Sequence, residues 1–269
     1  MRLAVDHETH YIYESPLRFS IQYLRLTPRD STRQKVIEWR IDAPAHCVQT
    51  QDGYGNILHV LTLDQPVIEI RIRAVGTVET APAADEPSDF VGVPLSPLLF
   101  LRTTARTETD AALEEFAEPF RPRATTLDGL RELASAIHRR MPFRPGETHV
   151  SSSAAQAFAI GSGVCQDHAH IFIACCRRLG VPARYVSGYV FSPGHAETHV
   201  ASHAWAEAWV GDRWRSFDVA NDCPAGEDHV KLAMGADYFD ACPIRGVRVG
   251  GGTETMTAAA LVSRQSQQQ

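Results

Sequence analysis

Apolar residues change their period once along this chain. From the N-terminus to about residue 80 they alternate with polar ones or run β-branched, which predicts strands over 9–13, 19–26, 36–41, 57–63 and 67–75. Pro28-Arg-Asp, Asp42-Ala-Pro and Asp52-Gly-Tyr-Gly-Asn56 punctuate them. Short strands at this spacing predict an antiparallel β-domain over residues 1–80. Residues 81–105, rich in proline and small side chains around Thr80 to Pro94, read as a linker. From about 108 apolar residues recur three and four apart, predicting helices over 110–117 and 127–138, the second N-capped by Thr126, and a short one over 153–159. Residues 106–262 read as a second domain with a late strand over 255–262, and 263–269 as a polar, disordered tail.

Within that second domain the run Ala169, Ile171, Phe172, Ile173, Ala174, Cys175, Cys176, Leu179 is apolar nearly all round, predicting a buried helix closed by Gly180 with Pro182 beyond it. Cys165, after Gly161-Ser-Gly163-Val164, stands at its start. Free backbone N–H groups and the positive end of the helix dipole there favour a thiolate. Cys175 and Cys176, mid-helix, read as small core residues.

Further on, Ser202-His-Ala-Trp-Ala-Glu-Ala-Trp-Val210 and Arg213-Trp-Arg-Ser-Phe-Asp-Val219 both alternate with period two, separated by Gly211-Asp212. Glycine first in a two-residue loop predicts a type II′ hairpin. Val210 then faces Arg213, Trp209 faces Trp214, Glu207 faces Ser216 and Trp205 faces Asp218. His203 and Asp218 become diagonal neighbours on one face, about 7–8 Å apart at the backbone, a gap side chains can close. Ala204, Ala206 and Ala208 occupy the other face. A cysteine helix lying on the His203 face, beside Trp205, Glu207 and Trp209, would bring together thiol, imidazole and carboxylate. Those three suffice for a nucleophile, a proton carrier and a group that orients it.

Composition narrows the partners. With 269 residues, 44% hydrophobic and 22% charged, and a net charge of −6, the chain reads as an ordinary globular protein without a basic block for nucleic acid or acidic membranes. The first ten residues lack an apolar leader region and no later segment has the length of a membrane span, so a cytoplasmic protein is expected. Six cysteines without a Cys-x-x-Cys pair suggest free thiols rather than a disulfide framework or zinc ribbon. His195, His199 and His203, spaced by four, with Glu207 extending the series, would share a helix face and could bind zinc; Ser192-Pro-Gly194 and the strand period that follows favour a reading without metal or cofactor.

Four motifs, Gly163-Val-Cys165-Gln-Asp-His-Ala-His170, Gly180-Val-Pro-Ala-Arg-Tyr-Val-Ser-Gly-Tyr189, Ser202-His203-Ala-Trp-Ala-Glu207 and Trp214 to Phe217-Asp218-Val-Ala-Asn221, resemble in order those of the transglutaminase-like superfamily, particularly its bacterial cysteine-protease-type members. Leu24-Arg-Leu-Thr-Pro-Arg29, Asp52 to Asn56 and Asp237 to Gly246 are similar too. The resemblance implies an α+β chain, with an N-terminal β-domain followed by a papain-like core whose cysteine helix packs on an antiparallel sheet. It implies Cys165 as nucleophile, His203 as base and Asp218 as orienting carboxylate. Asp218-Val-Ala-Asn221 departs from the common Asp-Pro-Thr-Asn of the family, which questions the local turn while keeping both end residues. Val164, Gln166, Trp205 and Asn221 are supporting candidates, and Gln156 is a candidate second oxyanion donor beside the Cys165 N–H. His168 and His170 hydrogen-bond in the core or line the cleft. The expected activity is hydrolysis of a peptide or amide-containing small molecule through an acyl-thioester. Transglutaminase-type transfer to an amine, a zinc hydrolase and a non-catalytic binding module of the same fold are the alternatives; oligomeric state is not readable.

Overall fold

A computed structural model describes residues 1–82, 95–192 and 202–265. In chain order its elements are β1 (Arg2–Leu24), β2 (Gln34–Asp42), β3 (Cys47–Gln51), β4 (Ile57–Leu63), β5 (Val67–Thr80), α1 (Ala111–Ala117), α2 (Leu127–Arg140), α3 (Ala154–Ile160), α4 (Cys165–Arg178), β6 (Ala183–Val190), β7 (His203–Trp209), β8 (Trp214–Phe217), β9 (His229–Gly235), α5 (Tyr238–Ala241), β10 (Ile244–Gly250) and β11 (Glu254–Arg264). They build an α+β fold of two antiparallel sheets, with the longer helices gathered on the second. No helix among the described residues is long and apolar enough to cross a membrane.

The first sheet runs β2-β5-β1-β4-β3, and its spine is β1. The two strands expected over 9–13 and 19–26 are one, whose pairing with β5 shifts register between Ile12 and Leu17. Pro16, which has no N–H to give, lies in that gap. The first half of β1 pairs with β5 and β11, and the second half with β4 and β10. The last two strands therefore belong to the N-terminal sheet, whereas the sequence places the late strand over 255–262 in the unit over 106–262. Ala260 and Val262 are buried there with Leu3, Val5 and Val78. The tail shortens accordingly: Arg264 pairs with Leu3, Gln265 N donates to the Arg2 carbonyl at 3.0 Å, and residues 266–269 lie outside the described residues. The expected linker also contracts. Residues 83–94 of it are outside the described residues, but Pro97–Leu101 forms a 3-10 helix that buries Phe100 edge-on to Trp214 at 5.3 Å.

The second sheet has the order β8-β7-β6-β9. Ala204, Ala206 and Ala208 of β7 offer almost no side-chain bulk, so α4 packs down on them, with Phe172 against Phe217 at 4.8 Å and Cys175 and Cys176 fully buried. Thr126 caps α2 by accepting from Gly129 N at 3.1 Å, as expected. Two side-chain amides join the sheets. Gln34 accepts from Lys231 N (2.7 Å) and donates to Lys231 O (2.9 Å), while Asn56 does the same with Met234 (2.8 and 2.7 Å). They satisfy the outer edge of β9 as a neighbouring strand would.

Candidate active site

The hairpin carries the register that the alternation predicts: Trp209 pairs with Trp214, Glu207 with Ser216, and Val210 N donates to Arg213 O at 3.0 Å. Its turn differs from expectation. Gly211 and Asp212 both have positive φ, 60° and 58°, which is type I′ rather than II′, Asp212 tolerating the left-handed region as short polar side chains do. The ladder stops at Phe217. Asp218 instead pairs with Cys223, donating from its N to Cys223 O at 2.8 Å, in a tight loop with Asp222 at φ 50°. Helix α2 pins that loop: Ser135 Oγ donates to Asp222 Oδ1 at 2.6 Å and His138 Nδ1 to Val219 O at 3.2 Å. At its base His203 Nε2 donates to Asp218 Oδ2 at 2.8 Å.

Cys165 reaches this pair by a route other than the expected one. The cysteine helix lies on the alanine face, not on the face of His203 and Trp205, because only the alanines leave room for a helix. The thiol is still an electrostatic neighbour of the His203 ring and helps to raise its pKa. His203 is the first residue of β7, so contact is made at the end of the sheet rather than across it. The start of α4 is set by Asp167, whose Oδ2 accepts from Val164 N (2.8 Å) and Thr148 Oγ1 (2.7 Å). A Cβ on Gly163 would stand 2.5 Å from that oxygen, so the glycine two residues before Cys165 is required by the cap.

Electrostatically the centre is Asp218, fully buried. Oδ2 accepts from His203, from His229 Nε2 at 2.9 Å and from Asn221 Nδ2 at 2.7 Å, and Asn221 N reaches Oδ1 at 3.3 Å. Burial opposes the anion, yet the hydrogen bonds from both histidines hold its pKa well below the carboxylate range. Burial likewise opposes a charged His203, but the hydrogen bond to Asp218 and the neighbouring Cys165 thiol outweigh it and lift the ring to about 10. The proton belongs on the imidazole. Asn221, in the segment that departs from the common pattern, thus keeps a direct bond to the carboxylate.

The other predicted residues separate. Trp205 packs beside the site, its ring edge-on to His229 at 5.2 Å and over Gly188, where a Cβ would come within 2.6 Å of the indole. Val164 is the N-cap residue of α4. Gln166 donates to Val150 O at 3.1 Å and ties down the preceding loop. Gln156 is exposed and occupied in a capping box, accepting from Ser153 N at 2.9 Å. His168 spans Val164 O and Met141 O (2.8 and 2.7 Å), and His170, its pKa pushed down to about 3 by burial, accepts from Tyr238 N at 3.1 Å; both are core residues. Glu207 does more than pack: it accepts from Arg184 Nε at 2.6 Å and from Lys231 Nζ at 2.8 and 2.9 Å, all three side chains buried. His229 and Lys231 escape a reading of local patterns. The available signal is a histidine and a lysine set two apart at the head of the apolar strand over 230–234.

His195 and His199 lie outside the described residues, and His203 opens a strand, so the helical spacing behind the zinc reading does not extend through it. His203, Asp218 and His229 do bring three ligand atoms within 4.8 Å. The donor set does not suit a cation. Gly226 N donates to His229 Nδ1 at 3.1 Å, and ligation through Nε2 would force a proton onto Nδ1 against that donor. A cavity of about 490 Å³ opens over the first sheet, from Ser202, next to His203, past Tyr238 to Gln22, Arg248 and Met256.

The family model for the transglutaminase-like superfamily matches residues 114–219, and that for the bacterial transglutaminase-like N-terminal region matches residues 3–79. An uncharacterized protein of Mycobacterium leprae is 31% identical over 280 residues, covering 98% of this chain and 99% of its own. One of Mycobacterium tuberculosis is 31% identical over 273 residues, covering 91% and 87%. Among solved structures, "a Putative Cysteine Protease from Cytophaga hutchinsonii" superposes with a TM-score of 0.79 at 22% identity, covering 98% of this chain and 90% of that one.

Proposed function

The chain belongs to the transglutaminase-like superfamily, and from that premise we propose that it is a thiol-dependent acyl-transfer enzyme that hydrolyses peptide or amide bonds. One observation carries the reading: a single imidazole bonded to a buried carboxylate at 2.8 Å, with the Cys165 thiol at a helix start as its electrostatic neighbour. Cys165 sulfur attacks the carbonyl carbon, and the oxyanion that forms meets the Cys165 backbone N–H at the start of α4. His203 gives its proton to the leaving nitrogen, the C–N bond breaks and a thioester remains. Water, deprotonated by the now neutral His203, attacks the thioester; the acid leaves and the thiol is restored. Asp218 keeps Nε2 engaged throughout, so the other ring nitrogen faces the chemistry. With all six cysteines free and a thiol as nucleophile, we place the reaction in a reducing compartment, the cytoplasm.

Intact-mass detection of an acyl adduct across a peptide and γ-glutamyl amide library tests this. Adducts that form on the wild type, vanish in Cys165→Ala and decay in water support hydrolysis. Adducts that persist until an amine is added would make the enzyme a transglutaminase. No adduct, with alkylation showing no preference for Cys165 over Cys175 and Cys176, overturns the catalytic reading in favour of a binding module.

A further inference from the structure

Asp218 holds two histidines, and the mechanism above uses one. The far nitrogen of the second decides what it contributes. His229 Nδ1 accepts from Gly226 N at 3.1 Å and so carries no proton; the single ring proton sits on Nε2, aimed at Asp218 Oδ2 2.9 Å away. The His229 backbone N donates back to Gly226 O at 3.1 Å, so the same turn that presents the donor also fixes the residue it serves. Trp205 walls the ring edge-on, and the ring itself is buried.

We infer that His229 is a positioning residue for the acyl-transfer reaction: a proton donor locked in one tautomer that aims the Asp218 carboxylate at His203 and keeps that carboxylate a poor base. The inference rests on the thiol-enzyme reading above. An aspartate whose one partner is an imidazolium in a buried site is free to rotate and to share the proton. Here three N–H groups, from His203, His229 and Asn221, converge on one oxygen and stabilise the anion. The shared proton then stays on His203, where the leaving nitrogen needs it. The His229 and His203 ring centres are 6.0 Å apart, with Asp218 between them, so His229 acts through Asp218. Its loss belongs in kcat rather than KM.

The probe is p-nitroacetanilide, whose carbonyl the thiol attacks with formation of a C–S bond, the His203 proton going to the nitrogen of the p-nitroaniline that leaves and water then cleaving the thioester. His229→Phe is expected to lower kcat by about 10–100-fold with KM held, and to alter the pH profile of iodoacetamide alkylation at Cys165. His229→Gln, whose amide N–H can replace Nε2, is expected to recover most of kcat. Unchanged turnover in His229→Phe, or an equal fall in both variants with KM moving too, overturns the inference. Should His229→Phe not fold, ¹⁵N NMR of the wild-type imidazoles decides: a bare Nδ1 with protonated Nε2 supports the assignment, and a proton on Nδ1 sinks it. A wild type that is not acylated at Cys165 counts against the acyl-transfer reading itself, while the NMR arm still reports on His229.

Discussion

The two faces of the four-stranded sheet are both buried, but one is dry and the other is charged. On the first, Ala204, Ala206 and Ala208 meet α4 and its fully buried cysteines and phenylalanine. On the second lie His203, Asp218, His229 and the Arg184–Glu207–Lys231 cluster, with the Arg184 guanidinium also 4.0 Å from the Trp214 ring centre. Apolar burial is non-directional and needs little beyond fit. Buried charges need every partner in place, because an unpaired one costs more than the pair contributes. The first face therefore supplies a platform, and the second holds the residues of the proposed chemistry at the expense of tolerance to change.

The sharpest way to break this contrast is Cys165→Ala, which should cut kcat/KM by about 10⁴-fold or more while leaving the melting temperature unchanged. An equal loss of both would mean that the thiol serves the core. Next, Glu207→Leu leaves the buried Arg184 and Lys231 without that carboxylate and should cost about 3–5 kcal/mol in urea unfolding. A cost below about 1 kcal/mol would show the cluster to be wetted like a surface pair.

Acidification gives a third test, at the junction between the sheets. Burial pushes His7 down to about 4, and its ring contacts Tyr189 OH at 2.6 Å. Below its ordinary value near 6.5 the unfolded chain takes a proton that the folded chain refuses, so stability falls as pH drops from about 6.5 to 4, by about 3 kcal/mol for this group. His7→Gln should flatten that segment of the melting-temperature profile. His203 has the opposite sign: its contribution is complete below about 6.5 and is lost as pH rises through about 10. Smallest is Ala206→Leu on the dry face, expected to cost about 1–3 kcal/mol by overpacking under α4 while the active fraction keeps its turnover.

What could be read from sequence follows this division. Period-two alternation over 202–219 states which residues share a face, and a two-residue loop states the register, so His203 beside Asp218 was legible without coordinates. Which face received α4 was not, since alternation is indifferent to what covers each side; the small alanines were the usable clue. A strand's pattern likewise says nothing about its partner, and the late strand over 255–262 falls to the nearer unit only by proximity along the chain. His229 had no local companion to mark it. Its partner arrives through Asp218, eleven residues earlier and past a loop with no regular period. Gln156 looked available because a side chain on a short helix has no visible employment until its capping box is seen.

The pairing of β1 with β11 also orders events in time. β1 is synthesised before the other strands of its sheet and β11 after them, with Leu3 waiting for Arg264. Through synthesis of everything between, one flank of the longest strand stays open, and closing so wide a loop is slow by its nature. The wall that β10 and β11 contribute to the cavity beside Ser202 comes last, so the chain carries Cys165 well before that cavity is closed.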